Sequence, residues 1–221
     1  MKNASISLFR RTLLCLGGLV LASSVATAQT APPAAGGKEE LMKIKNVEPI
    51  IQKTPKFQVE GPKEKHWKPK DWLEIEVDCE ALPSKKAKEK QTTYSEVTFK
   101  YYVYLEGQSP EKSRILTGEV VHTNVPIKEA SHSCMFITPS TIFSLTGKPE
   151  ANANAIKYWG VVATIGGEMV GYKVKPGSPG TADKPWWEDP KAPAKEPALK
   201  NKNETPFAIL WADYYFDIRG K

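Results

Sequence analysis

Apolar and polar positions alternate with period two in several short stretches of the chain. In "DWLEIEVDCEAL", Leu73, Ile75, Val77 and Cys79 alternate with Glu74, Glu76 and Asp78, the pattern of a strand with one face buried and the other in water. "YSEVTFKYYVYLEG" repeats it, with Val97, Phe99, Tyr101 and Val103 on one side and Tyr102 and Tyr104 on the other. This second strand is aromatic on both faces. "SRILTGEVVHTNVPI" supplies a third, with a bulge or bend expected at Gly118. "SHSCMFITP" supplies a fourth whose phase stays open, because Cys134 and Phe136 lie on one face and Met135 and Ile137 on the other. "STIFSLTGKPE" fits a single helical turn closed by Gly147. "IKYWGVVATIGGEMVGYKVKPG" reads as a hairpin about Gly166-Gly167, glycines that supply the positive φ of a tight turn, with Trp159, Val161 and Ala163 sharing a face. Ahead of all these, "IKNVEPIIQKTPKFQVEG" is apolar in runs broken by Pro49 and Pro55, which suits an irregular edge strand.

The pattern changes twice near the end. Residues 175–206 are rich in proline and predict a long loop. In "ETPFAILWADYYFDIRGK", Phe207, Leu210, Trp211, Tyr214, Tyr215 and Ile218 recur at helical spacing after Thr205 and Pro206, with Gly220 beyond, and predict a short C-terminal amphipathic helix over 206–218. Short strands with turn signals at close spacing and one terminal helix make the fold class mainly β, an antiparallel β-sandwich forming a single domain over 41–221.

The first 28 residues carry Lys2, Arg10 and Arg11, then an apolar run, then Ala26-Thr27-Ala28. This is the layout of a cleaved signal peptide, and its apolar run is too short for a permanent span. Residues 29–40, "QTAPPAAGGKEE", read as a flexible linker. The leader holds three of the 31 basic residues and none of the 25 acidic ones, so the net charge falls from +6 to +3 on its removal. A nucleic-acid partner thereby loses its main support.

An exported chain with two cysteines left after processing, Cys79 and Cys134, favours a disulfide. Such a bridge contributes roughly 4 kcal/mol in the chain-entropy description. Other chemistry finds little footing. His66, His122 and His132 sit in unrelated settings, with His66 in a basic connection and His122 expected on the polar face of its strand. No nucleophile-elbow or metal-ligand spacing accompanies them, so no catalytic residue, metal or cofactor is expected. Glu74, Glu76 and Asp78 are expected to face water. What stands out is "DKPWWEDPKAPAKEP": Trp186 and Trp187 either anchor the Pro-rich loop or, with Tyr102 and Tyr104, offer aromatic platforms to a protein or glycan.

From "MKIKNVEPIIQKTPKFQVEG" through "DWLEIEVDCEAL" and "YWGVVATIGGEMVGYKV" to "ETPFAILWADYYFDI", the chain resembles exported bacterial proteins encoded beside type IV pilus machinery. These are similar to accessory proteins of archaeal pilus-type filaments. The resemblance implies an immunoglobulin-like sandwich and a non-enzymatic structural or adhesive role, located in the periplasm or at the outer membrane and cell surface. The implied partners are envelope or pilus-associated proteins, or further copies of the chain, with exposed strand edges open to strand addition. A carbohydrate-binding module built on exposed tryptophans is the alternative, and a small exported hydrolase ranks last.

Overall fold

The alternation in residues 71–81 becomes the central strand of one sheet, and that in residues 93–105 the central strand of another. The computed structural model describes residues 39–57, 67–87 and 90–220; the expected signal peptide, nearly all of the linker and His66 lie outside them. The strands are β1 (Met42–Lys53), β2 (Asp71–Ala81), β3 (Thr93–Leu105), β4 (Arg114–Pro126), β5 (Ala130–Ile137), β6 (Ile156–Ile165), β7 (Glu168–Val174) and the two-residue β8 (Lys195–Glu196) and β9 (Lys200–Asn201). One sheet runs β1-β2-β5-β9 and the other β7-β6-β3-β4-β8. Every pairing is antiparallel except β4 with β8. The protein is a mainly β sandwich.

The inward residues of both central strands are sealed: Leu73, Ile75, Val77 and Cys79 face Phe99, Tyr101 and Val103 across the core, with Met135, Ile137, Val161 and Ala163 from the neighbouring strands. The phase of β5 is thereby settled, with Met135 and Ile137 inside. Its other face is buried too, since Cys134 and Phe136 belong to a second apolar cluster. The β6–β7 hairpin turns at Gly166 and Gly167, with φ of 58° and 83°. The helix α1 (Pro139–Thr146) is capped by Thr138, whose hydroxyl accepts from the Thr141 amide, and ends at Gly147 in the left-handed region. Strand β1 lies at a sheet edge and shifts register between Ile44 and Asn46.

Gly118 does not bulge, because the pairing of β3 with β4 runs through it in unbroken register. A Cβ there would come within 2.6 Å of the Leu199 Cβ. The glycine serves close approach of the Pro-rich excursion.

The C-terminal helix predicted over 206–218 does not form. Residues 205–211 are turns and bends, followed by a single 3-10 turn at Ala212–Tyr214. The backbone donors have better partners elsewhere. Phe216 N–H bonds His132 O on β5, while Thr123 N–H on β4 bonds Asp217 O and Arg219 N–H bonds Val121 O. The last residues therefore stitch the open edges of the two sheets together. Extended geometry sends Tyr215 to the outer cluster and Phe216 to the inner core, which no helix could do with adjacent residues. On the far side the sandwich is closed by β1 and β7, where Leu41 N–H bonds Val170 O and Lys173 Nζ donates to Lys45 O at 2.6 Å.

Candidate interaction surface

Trp186 and Trp187 form a single 3-10 turn in the Pro-rich loop and are buried, at 5% and 4% exposure. They lie on the outer face of β3, β6 and β7. Trp187 stacks on Tyr102 with ring centroids 4.3 Å apart and planes 3° from parallel. Trp186 packs obliquely against Tyr104 and Tyr158. Gly160 makes room for them, since a Cβ there would stand 2.1 Å from the Trp187 ring. The platform reading of these four aromatics is thus corrected: the indoles and the phenol rings under them cover one another. The loop is further pinned by Lys195 and Glu188, which pair at 2.7 Å.

The outer face of β2 and β5 is covered by a different piece of chain, the strap of residues 205–219. Phe136 stacks on Phe207 at 4.9 Å and Phe207 on Trp211 at 6.4 Å, while Trp72 meets Phe207 edge-on at 5.7 Å. This ladder of rings starts buried at Phe136 and ends in solvent at Trp211. Its tip carries the largest exposed apolar groups of the strap: Ile209 is 74% exposed, Trp211 48% and Tyr214 44%. Trp211 holds φ at 53°, a left-handed conformation costly for a bulky residue. Such exposed apolar side chains on a constrained backbone are suited to a contact. Helical spacing assigns Trp211 and Tyr214 to the helix that does not form; the signal for a contact is the Ile-Leu-Trp run at 209–211, which has no second apolar segment to cover it.

Beneath the strap lies a polar seam. Glu74, expected to face water, is fully buried: Tyr215 Oη donates to its Oε1 at 2.7 Å and Gln52 Nε2 to its Oε2 at 2.9 Å. Tyr215 Oη also stands 3.0 Å from Glu76 Oε2. Burial raises the Glu74 carboxyl above its usual range, and burial likewise raises the Tyr215 hydroxyl. Lys202, buried alongside, donates to Ala208 O at 2.9 Å and sits over the Tyr215 ring; loss of solvent lowers its pKa. His132 stacks on Tyr214 at 3.8 Å.

A second polar chain crosses the core. Tyr101 Oη donates to Ser133 Oγ at 2.7 Å, Ser133 Oγ lies 2.7 Å from His122 Nε2, and His122 Nδ1 lies 3.2 Å from Asp217 O. A carbonyl only accepts, so Nδ1 carries the proton and Nε2 accepts from Ser133. His122 was expected on a polar face; instead it is 1% exposed, because the C-terminal strap covers it. Burial lowers its pKa from 6.5 to about 4. A serine and a histidine at this distance invite comparison with a hydrolytic pair, but Ser133 is fully buried and the third partner is a main-chain carbonyl. The chain of bonds ties β3, β4, β5 and the C-terminal segment together.

The expected disulfide is absent. Cys79 and Cys134 are free and buried. In the pairing of β2 with β5, Cys79 stands opposite Ser131 and Cys134 opposite Glu76, so the two thiols sit an odd number of positions apart in register and point to opposite faces of the sheet. Cys79 belongs to the core and Cys134 to the outer cluster. Burial raises both thiols, Cys79 beyond any physiological range. Among the described residues no group of three or more acidic, histidine or cysteine side chains converges to hold a metal ion, and no helix is long and apolar enough to cross a membrane.

A protein-family model matches residues 33–221, which takes in the sandwich, the Pro-rich loop and the strap. The chain belongs to that family. Among solved structures, the crystal structure of a protein from Akkermansia muciniphila superposes with a TM-score of 0.70 at 24% identity, over 82% of this chain and 94% of that one. At that identity the likeness establishes the fold. A search of curated protein sequences finds no match. The family match extends through the strap, so the segment that exposes Ile209 and Trp211 lies within the matched length.

Proposed function

We propose that the protein is a non-enzymatic accessory component of a pilus-type assembly, exported to the envelope and acting through protein contacts centred on the strap tip. The observation that carries this is Ile209 and Trp211 standing in solvent on a backbone held in a left-handed turn. A constrained indole with an apolar neighbour is the composition of an interface anchor. The resemblance to exported proteins encoded beside type IV pilus machinery supports the setting, and the leader-like N-terminus supports export. The sheet orders β1-β2-β5 and β7-β6-β3-β4 support reading the sandwich as immunoglobulin-like, with the first, second and fifth strands in one layer.

Strand addition loses ground to side-chain contact. The edges of β4 and β5 are taken by the chain's own C-terminal segment, and β1 and β7 lean on each other at Leu41–Lys45. The later half of β1 keeps Pro49, which donates nothing to a ladder. The test is a double substitution, Ile209→Ser with Trp211→Ser. Filaments sheared from cells should lose the variant while its folded content and export stay normal. Equal recovery of variant and unmodified protein with the filaments would remove the strap tip from the contact.

A further inference from the structure

The strap is fastened to the outer face of β2 through a cluster that is one hydrogen short. Tyr215 Oη lies 2.7 Å from Glu74 Oε1 and 3.0 Å from Glu76 Oε2. A phenol has one hydrogen, and an ionised carboxylate only accepts. With both carboxylates ionised, the hydroxyl donates to one of them and its bare oxygen faces the other. Gln52 Nε2 donates to Glu74 Oε2 at 2.9 Å, which satisfies that oxygen but does nothing for Glu76. Tyr214 Oη reaches the other oxygen of Glu76, Oε1, at 3.3 Å. The surroundings add like charge: Glu48 on β1 stands opposite Glu76, and Asp78 follows Glu76 on the same face of β2. From β5, Cys134 stands opposite Glu76 and His132 opposite Asp78. Burial keeps the Cys134 thiol protonated, and His132 is stacked on Tyr214. Lys202 brings a positive charge over the Tyr215 ring, 5.4 Å from its centre, and its Nζ donates to Ala208 O.

We infer that Glu74, Tyr215 and Glu76 together hold one extra proton and act as a pH-sensitive latch for the strap. Glu74 Oε1–H donates to Tyr215 Oη, and Tyr215 donates in turn to Glu76 Oε2, so each close oxygen pair contains a hydrogen. Glu74 Oε2 still accepts from Gln52. The full burial of Glu74 suits a neutral carboxyl, and that burial raises its pKa above the usual carboxylate range. When the proton leaves, Glu74 takes the phenol hydrogen and Glu76 repels the phenol oxygen. Tyr215 is pushed off the sheet, and with it Phe216, whose N–H bonds His132 O on β5. The seated strap binds the proton more tightly than the released one. The latch is therefore fully closed below the ordinary carboxylate range and loosens as pH rises through the raised pKa of Glu74. A pH-dependent presentation of Trp211 to a partner is the consequence. That consequence rests on the strap-tip contact proposed above, whereas the latch itself belongs to the isolated protein.

The test follows the purified protein between about pH 4.5 and about pH 9. The carboxyl carbon of Glu74 is titrated by ¹³C NMR, and strap opening is read from hydrogen exchange at the Phe216 and Arg219 amides, which bond His132 O and Val121 O. Glu74 should stay protonated well above the ordinary carboxylate range. Glu74→Gln copies the protonated carboxyl, its amide donating to Tyr215 Oη while its carbonyl accepts from Gln52, and should keep the strap closed. Relative to that variant, opening of the unmodified protein should rise about tenfold per pH unit until Glu74 has titrated. The ratio cancels the intrinsic pH dependence of exchange and the opposite pull of His122, whose Nδ1 faces Asp217 O. Glu76→Gln supplies the missing hydrogen from the other side and should flatten the same rise, so the outcome does not hang on one variant folding. A Glu74 carboxyl already ionised near about pH 5 while Phe216 stays protected overturns the inference. So does a flat ratio, or a Glu74→Gln strap that is open at every pH. Loss of the strap-tip contact to the filament would leave all of these readings unchanged, which separates failure of the latch from failure of the contact.

Discussion

At the residue scale, the two kinds of tryptophan in this protein behave in opposite ways. Trp187 is stacked on Tyr102 and fills the space left by Gly160, so Trp187→Ala should cost about 3–5 kcal/mol, the usual toll of emptying an aromatic site. Trp211 is half-exposed, and Trp211→Ser should stay within about 1 kcal/mol of the unmodified protein. Urea unfolding of both variants checks the contrast; a near-neutral Trp187→Ala would return that indole to the surface. The choice between anchor and platform was open in the sequence because a Trp-Trp pair among prolines carries no period. What decided it was the second face of β3, where Tyr102 and Tyr104 need cover. That need was legible: a strand aromatic on both faces asks for a layer on each. Glu74 escaped for the converse reason, since alternation assigns a side chain to a face but not what the face meets.

At the scale of elements, the strap and the strands it closes act as one unit through His122. The fold favours the neutral ring, with a pKa of about 4 against an ordinary 6.5. The unfolded chain therefore binds the proton first as pH falls. The His122 contribution to stability is full above pH 6.5, is lost as pH drops toward 4 and levels off below, a step of about 3 kcal/mol. Glu74, raised by burial, works in the opposite direction, gaining stability as it protonates, so the comparison must be between variants. His122→Gln should be less stable than the unmodified protein at pH 7, and the gap should narrow toward pH 4. A constant gap across that range would mean that the imidazole is not held neutral. Five of the long strands, the Gly166-Gly167 hairpin and the Gly147 stop were readable from period two and turn chemistry. The C-terminal helix was not, because Phe207, Leu210, Trp211, Tyr214 and Tyr215 match a helical stripe by spacing while their backbone is claimed by the edges of β4 and β5. Tertiary hydrogen bonds outweighed a short helix that had no packed face of its own. The disulfide failed on a parity that only the register of β2 with β5 supplies.

At the scale of the whole molecule, the sandwich has an inner core and an apolar layer on each outer face, one under the Pro-rich loop and one under the strap. Both irregular segments are thus structural lids, and what they expose at their margins is what remains for partners. The central claim is that the strap tip meets another protein in the assembled envelope while the paired indoles do not. Photo-crosslinking in intact cells tests it most directly, with a photoreactive phenylalanine placed at position 211 in one strain and at position 187 in another. Crosslinks to a pilus component from position 211 and only intrachain products from position 187 are the expected result. Pilus crosslinks from 187, or none from 211 in cells that export the protein normally, would contradict it.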